Sequence, residues 1–244
     1  MERVVHRFRI AVIVCLVCAS SNAWAQVTTP QPREAARWQG GVGFLGAAAV
    51  GEFETFVDGA AGVLGHVNRS LGQSPFSLGA EFSWTQYGSE TRSLSIASLV
   101  PEVPDAAVEV YTYNAMFALH GRLRAQWPHG RLRPYVDGLY GFTNIYTTSQ
   151  VKGEDNCDEG CIIESESQSR DFVMSYGGGA GITLNFTSND RAPRLDFAVR
   201  YVRGGRADYL TEGSLHTVGD QVIRDFSRSR IDRLDLYIGV AFGR

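Results

Sequence analysis

Charged residues recur in this 244-residue chain at alternate positions of otherwise apolar stretches: Glu81, Arg122, Arg124, Arg133, Asp137, Asp196, Arg200, Arg233 and Asp235. If that alternation encloses them, the chemistry they can do is ion pairing, because an unpaired ion in a low-dielectric interior is costly and opposite charges there must meet. Two other groups invite a chemical reading. Cys157 and Cys161 lie close together among Asp155, Asp158, Glu159, Glu164 and Glu166. In an exported chain the expectation is a local disulfide. Asp155, Glu159, Gly160 and Glu166 fall at calcium-loop spacing, but the cysteines stand where oxygen ligands are needed and no flanking helices are predicted, so no metal or cofactor is assigned. Ser214, His216 and Glu212 in one polar stretch, and His120 in another, are the candidate nucleophile and bases; they match no motif, and no catalytic residue is assigned. Gly177 to Gly181 lie mid-strand with no helix after them, which rules out a nucleotide fingerprint; room for large neighbours is the expectation.

The elements that must carry these residues are strands. Between Asp171 and Phe186, Phe172, Met174, Tyr176, Ala180, Ile182, Leu184 and Phe186 share one face, while Ser175, Gly177, Gly179, Gly181, Thr183 and Asn185 share the other. The same period of two marks Arg37 to Val50, Phe76 to Tyr87, Val108 to Trp127, Leu132 to Tyr146, a stretch around Leu195 to Tyr201, and a last one around Arg233 to Phe242. A stretch around Gly59 to Val67 alternates poorly and is placed mainly because an even strand number needs it. Long polar connections (Gly88 to Ala107, Val151 to Arg170, Tyr209 to Ser229) alternate with brief ones at Asn68 to Pro75, Pro128 to Gly130 and Thr187 to Pro193. The predicted fold is all-β: an antiparallel up-and-down transmembrane barrel of eight strands spanning 37–244, after a leader over 26–36.

Residues 1–25 read as a signal peptide: Arg3, Arg7 and Arg9 precede an apolar run from Ile10 to Val17, which is shorter than a spanning helix needs, and Ala23-Trp24-Ala25 precedes a cleavage point. The mature chain has no second apolar run long enough for a membrane helix, so strands must do any spanning. The 27 glycines and 11% aromatic content suit curved strands with interfacial belts. The formal charge of −3 loses +2 with Glu2, Arg3, Arg7 and Arg9 and becomes −5, which argues against nucleic acid as a partner. Alternation by itself is also compatible with a soluble lipocalin-like barrel that is apolar inside. Strand length, aromatic strand ends and an uncharged central apolar face favour the membrane.

With its regular long and short connections the chain resembles the small outer-membrane β-barrel proteins of Gram-negative bacteria, the group that includes the OmpA transmembrane domain. The resemblance implies a bacterial outer-membrane location, with outer-membrane lipids, lipopolysaccharide and the barrel-assembly machinery as partners, and a monomer. That group usually ends on an aromatic residue, whereas Phe242 is followed here by Gly243-Arg244. The functional expectation is a non-enzymatic barrel with a salt-bridged lumen, serving envelope integrity or surface interaction through its outer loops. The alternatives are a narrow, porin-like passive pore and, because some small outer-membrane barrels modify lipid A, an enzyme of that kind.

Overall fold

A computed structural model describes residues 38–72, 74–95, 107–153, 162–187, 192–211, 214–218 and 221–243. The readings of residues 1–37, of Glu212 and of the Cys157–Cys161 segment lie outside them. Among the described residues the long strands are β1 (Trp38–Ala49), β2 (Gly59–Ser70), β3 (Phe76–Ser95), β4 (Ala107–Gln126), β5 (Leu132–Gly153), β6 (Ile162–Leu184), β7 (Arg194–Tyr209) and β10 (Ser227–Gly243). Each pairs antiparallel with its neighbour in sequence, and β1 pairs with β10 from Gln39↔Gly243 to Ala49↔Arg233, closing an eight-stranded barrel. Closure leaves no sheet edge within the barrel wall. The weakly alternating β2 is held from both sides, by β1 and β3.

The strands run further than their hydrophobic alternation indicates. β3 and β4 stay paired to Ser95↔Ala107, and β5 and β6 to Lys152↔Ile162, inside what reads as loop in the sequence. The connection after β7 holds a small hairpin, β8 (Leu215–Val218) with β9 (Gln221–Arg224). At the other end of the barrel the connections are short. In the β2–β3 turn, the Leu71 carbonyl accepts from the Ser74 hydroxyl at 2.6 Å. In the β4–β5 turn Gly130 adopts a φ of 99°, a left-handed conformation that a side chain would strain.

Register decides which face is which. Val42, Phe44, Leu78, Phe82, Leu119, Leu123, Val136, Tyr140, Met174, Tyr176, Val199, Leu236 and Ile238 point outward and are exposed. The charged residues of the alternation are inside, opposite to the lipocalin arrangement. A one-residue slip of any strand would exchange the two sets, so the register is strongly specified.

One turn of 3-10 helix, η1 (Phe53–Thr55), lies between β1 and β2 and folds into the mouth of the barrel. Phe53 is buried against Tyr209, with ring centroids 5.5 Å apart at 81°. Val57, Met116, Ile145, Val173, Ala207 and Ile231 complete an apolar plug with them. The Tyr209 hydroxyl is tied to Ser229 Oγ at 2.6 Å. Glu52 anchors the turn at the rim, accepting from the Arg230 backbone amide at 3.3 Å and from Arg206 Nη2 at 3.3 Å. Those two donors hold its carboxyl below the usual carboxylate range.

Candidate functional site

Below the plug the lumen is polar and arranged in tiers, each placed by the register of facing strands. Directly under Ile145 and Val173, His120 Nε2 lies 2.9 Å from Ser175 Oγ, which is also 2.9 Å from Thr143 Oγ1. His120 Nδ1 lies 4.0 Å from Glu81 Oε1. A hydroxyl, an imidazole and a carboxylate therefore stand in line as they would in a hydrolytic triad. All three side chains are buried, however, and the carboxylate is held elsewhere: Arg200 Nη1 donates to both Glu81 oxygens, at 3.0 and 3.1 Å. This geometry orients the histidine without offering a substrate any approach to Ser175.

The next tier holds the ion pairs. Asp137 accepts from Arg122 Nη2 at 2.6 Å and from Arg124 Nε at 2.8 Å, and Arg200 Nη2 approaches it to 3.9 Å. Arg122 Nε also lies 3.7 Å from Glu81, so the two carboxylates share three guanidinium groups. Register explains the grouping: Arg124 is the cross-strand partner of Asp137, and Asp137 faces Gly179, which in turn faces Arg200. A Cβ on Gly179 would collide with the Val199 carbonyl oxygen and sit 2.6 Å from Arg200 Cγ, so this glycine lets the β7 backbone and the Arg200 stem approach β6 closely. Gly181 does the same for the Tyr135 ring.

In the lowest tier the Tyr135 hydroxyl donates to Asp196 Oδ1 at 2.6 Å, while His66 Nε2 and Arg124 Nη1 each lie 3.9 Å from Asp196 Oδ2. The Arg124 guanidinium stacks on the Tyr135 ring, 3.4 Å from its centroid, a cation–π contact in a desolvated setting. Leu45, Leu64, Ala198 and Tyr237 fill the remaining space.

Arg233 and Asp235 pair with each other along β10 at 3.0 Å. Arg133 stands apart from the central cluster: it is half-buried at the short-turn end, where its Nε donates to the Gly130 carbonyl at 3.3 Å. Sequence reasoning missed His66, Tyr135 and the whole apolar plug. The signal for Tyr135 was available, since it lies two residues before Asp137 and so on the same face.

The central tiers are closely packed. Arg122, Asp196, Arg200 and Arg124 are 0, 0, 1 and 2% exposed. These side chains are packed against one another in the centre of the lumen. Most of the buried lumen charges pair with one another: Arg122, Arg124 and Arg200 meet Glu81, Asp137 and Asp196, and Arg233 meets Asp235.

Ser214 Oγ is engaged in a local turn, accepting from the Thr211 amide at 3.0 Å. His216 lies in β8. No group of three or more metal-ligating side chains occurs among the described residues.

No family model and no curated protein matches this chain. Among solved structures, it is similar to Neisserial surface protein A, with 12% identity and a TM-score of 0.41 over 87% of this chain and all of that one. It is also similar to Ail, the attachment invasion locus protein of Yersinia pestis, solved with the heparin analogue sucrose octasulfate. There the identity is 10% and the TM-score 0.38, over 84% of this chain and 96% of that one. Likenesses this distant leave the barrel resting on its own strand pairing.

Proposed function

We propose that this chain is a non-conducting, non-enzymatic barrel of the bacterial outer membrane that presents its long connections at the cell surface, serving envelope integrity or surface interaction. The observation that carries the reading is the inversion of the fold: apolar side chains outside, and a packed network of ion pairs inside. From Leu123 to Tyr113 the outward face of β4 spans ten residues, about 25 Å of height for a strand rising ~3.3 Å per residue at a tilt of ~40°. That matches the apolar band of a membrane barrel. Among the described residues, the outward positions of this band carry no Asp, Glu, Lys, Arg or His between Arg69 at one end and Arg203 and Asp232 at the other. Aromatic residues fringe it on both sides: Trp38, Phe76, Trp127 and Phe242 by the short turns, and Trp84, Tyr113, Tyr146 and Tyr201 by the long connections. So large an exposed apolar surface is not sustained by a monomer in water.

The non-enzymatic reading is supported by the burial of the Ser175, His120 and Glu81 line beneath the plug and its capture by Arg200. The test is surface presentation. An epitope inserted between residues 154 and 161 should be labelled by antibody on intact cells, whereas one inserted at 72–74 should be labelled only after the envelope is opened. The reverse pattern, or recovery of the protein in a soluble fraction, would reject the reading.

A further inference from the structure

The β6–β7 ladder stops before its strands do. Its last rung is Ser175↔Gly204, yet β6 runs on to Ile162 and β7 to Tyr209. The cause is a bulge: Gly204 and Gly205 of β7 stand against the single Ile231 of β10, between the rungs Arg203↔Asp232 and Arg206↔Arg230. The inward set on β7 shifts there from even to odd positions, from Arg200, Val202 and Gly204 to Ala207 and Tyr209. Beyond the bulge a side chain replaces the backbone bond: Asp171 Oδ2 accepts from the Asp208 amide at 2.9 Å, while its Oδ1 accepts from the Phe172 amide at 2.8 Å. The break lies where both sides of the wall are apolar. Outside, Phe172 and Met174 are exposed above Tyr176, and the Phe172 ring lies 6.0 Å from that of Phe142. Inside, Val173, Ala207 and Ile231 belong to the plug, which is completed from a connection: Phe53 sits edge-on to Tyr209 and, at 6.3 Å, to Tyr87. The turn that carries Phe53 follows Gly51, with a φ of 67°, and both partners of its rim anchor, Glu52 and Arg206, have exposed side chains.

We propose, on the membrane reading above, that this gap is a lateral passage: a small uncharged ring compound enters the apolar mouth in exchange for Phe53 and leaves between β6 and β7 into the hydrocarbon of the bilayer. The height of the break selects an apolar traveller. Lower in the wall a gap would open on the ion-paired tiers, whereas here it joins the plug to the lipid-facing band, and a charged guest would be stripped of water between Phe172, Val173 and Ala207. The shape of the seat selects a ring. Tyr87 and Tyr209 already hold an aromatic ring edge-on, the arrangement that aromatic pairs prefer, within the mostly apolar lining that small-molecule sites present. The Asp171 carboxylate is the clasp, because it supplies the bond between the two strands where the backbone ladder has ended. The tiers below stay packed, so ions gain no route.

The test uses the full-length protein, with Cys157 and Cys161 replaced by serine, in the outer membrane of intact cells, where a heat-modifiable gel band reports the folded barrel. Uptake of phenylnaphthylamine, which fluoresces on reaching hydrocarbon, is compared with that of anilinonaphthalene sulfonate, which carries similar rings and a negative charge. Asp171→Ala is expected to speed uptake of the uncharged probe about fivefold over the parent, the effect of one ordinary hydrogen bond on an opening equilibrium. Asp171→Asn, whose amide oxygen can still accept, should stay close to the parent. The pair Asp171→Cys with Asp208→Cys should match Asp171→Ala while its thiols are free and fall back to the parent rate or below when a short bis-maleimide bridges them. Bridging Arg69→Cys to Leu78→Cys, a paired rung on the opposite wall, should change nothing. Uptake of the sulfonate should be the same for every variant. Equal uptake of the uncharged probe by the parent, Asp171→Ala and the bridged pair would overturn the proposal. So would equal acceleration of the sulfonate, which would make the gap a hydrated leak. Either result from a folded, inserted barrel removes this proposal alone; a protein that does not insert removes the membrane reading beneath it.

Discussion

Asp137→Asn is expected to destabilise the barrel by about 3–5 kcal/mol, the range for breaking a buried ion pair from one side. The neutral amide would leave Arg122 and Arg124 without the carboxylate they now contact at 2.6 and 2.8 Å. Their next carboxylates are more distant, Glu81 at 3.7 Å and Asp196 at 3.9 Å. The internal control is Asp208→Asn, whose partner Arg228 is exposed at the rim; a surface pair of that kind contributes under about 1 kcal/mol. Urea unfolding of vesicle-inserted protein, followed by tryptophan fluorescence, measures both. Equal midpoints for the two variants would show that the interior charges are solvated rather than packed. The size of the effect does not make the network a net source of stability, since apolar replacements of buried ion pairs are often neutral or better. Its clearer contribution is to register: a slipped strand would carry Arg122 or Asp137 into the apolar band.

Ile238→Arg is expected to impair folding by about 2–4 kcal/mol, the range for a cationic side chain at the bilayer midplane. Ile238 is half exposed on the outer face and lies between Phe44 and Phe197 in the register, midway along β10 between Phe242 and Asp232. Leu184→Arg should cost much less, about 0–1 kcal/mol, because Leu184 lies at the short-turn end of β6 beside Leu132 and Leu195, close to the aromatic fringe. The heat-modifiable fraction recovered in vesicles separates the two. Equal recovery of Ile238→Arg and the parent would mean that the outer face does not meet lipid.

The period of two over Phe172–Phe186, Phe76–Trp84 and Leu234–Phe242 was legible because two solvents face each strand there, and each residue type reports its side. Where the strands continue beyond the apolar band that contrast disappears. Thr91 and Lys152 are paired in β3 and β5, yet their segments read as polar loop, because backbone hydrogen bonds persist where no face needs to be apolar. The plug was hidden for the opposite reason. Met116, Ile145 and Val173 face inward on strands that are apolar outward as well, so the alternation fades and nothing in the pattern points to a lumen filler. Phe53 and Val57 reach the plug from a connection rather than a strand, by a fold-back that only tertiary packing specifies. The ion pairs were legible as a set but not as partners. Which guanidinium meets which carboxylate depends on the stagger of the closed sheet, and that stagger also turns Arg233 to its own strand neighbour and leaves Arg133 at the turn.

Single-channel recording of the purified barrel in planar bilayers tests the closed lumen most directly. With Arg122, Arg124, Arg200 and Asp196 all buried, a baseline indistinguishable from protein-free bilayer is expected in concentrated potassium chloride, at either polarity. Discrete, reproducible conductance steps from the correctly folded parent would require a hydrated path through that tier and would contradict it.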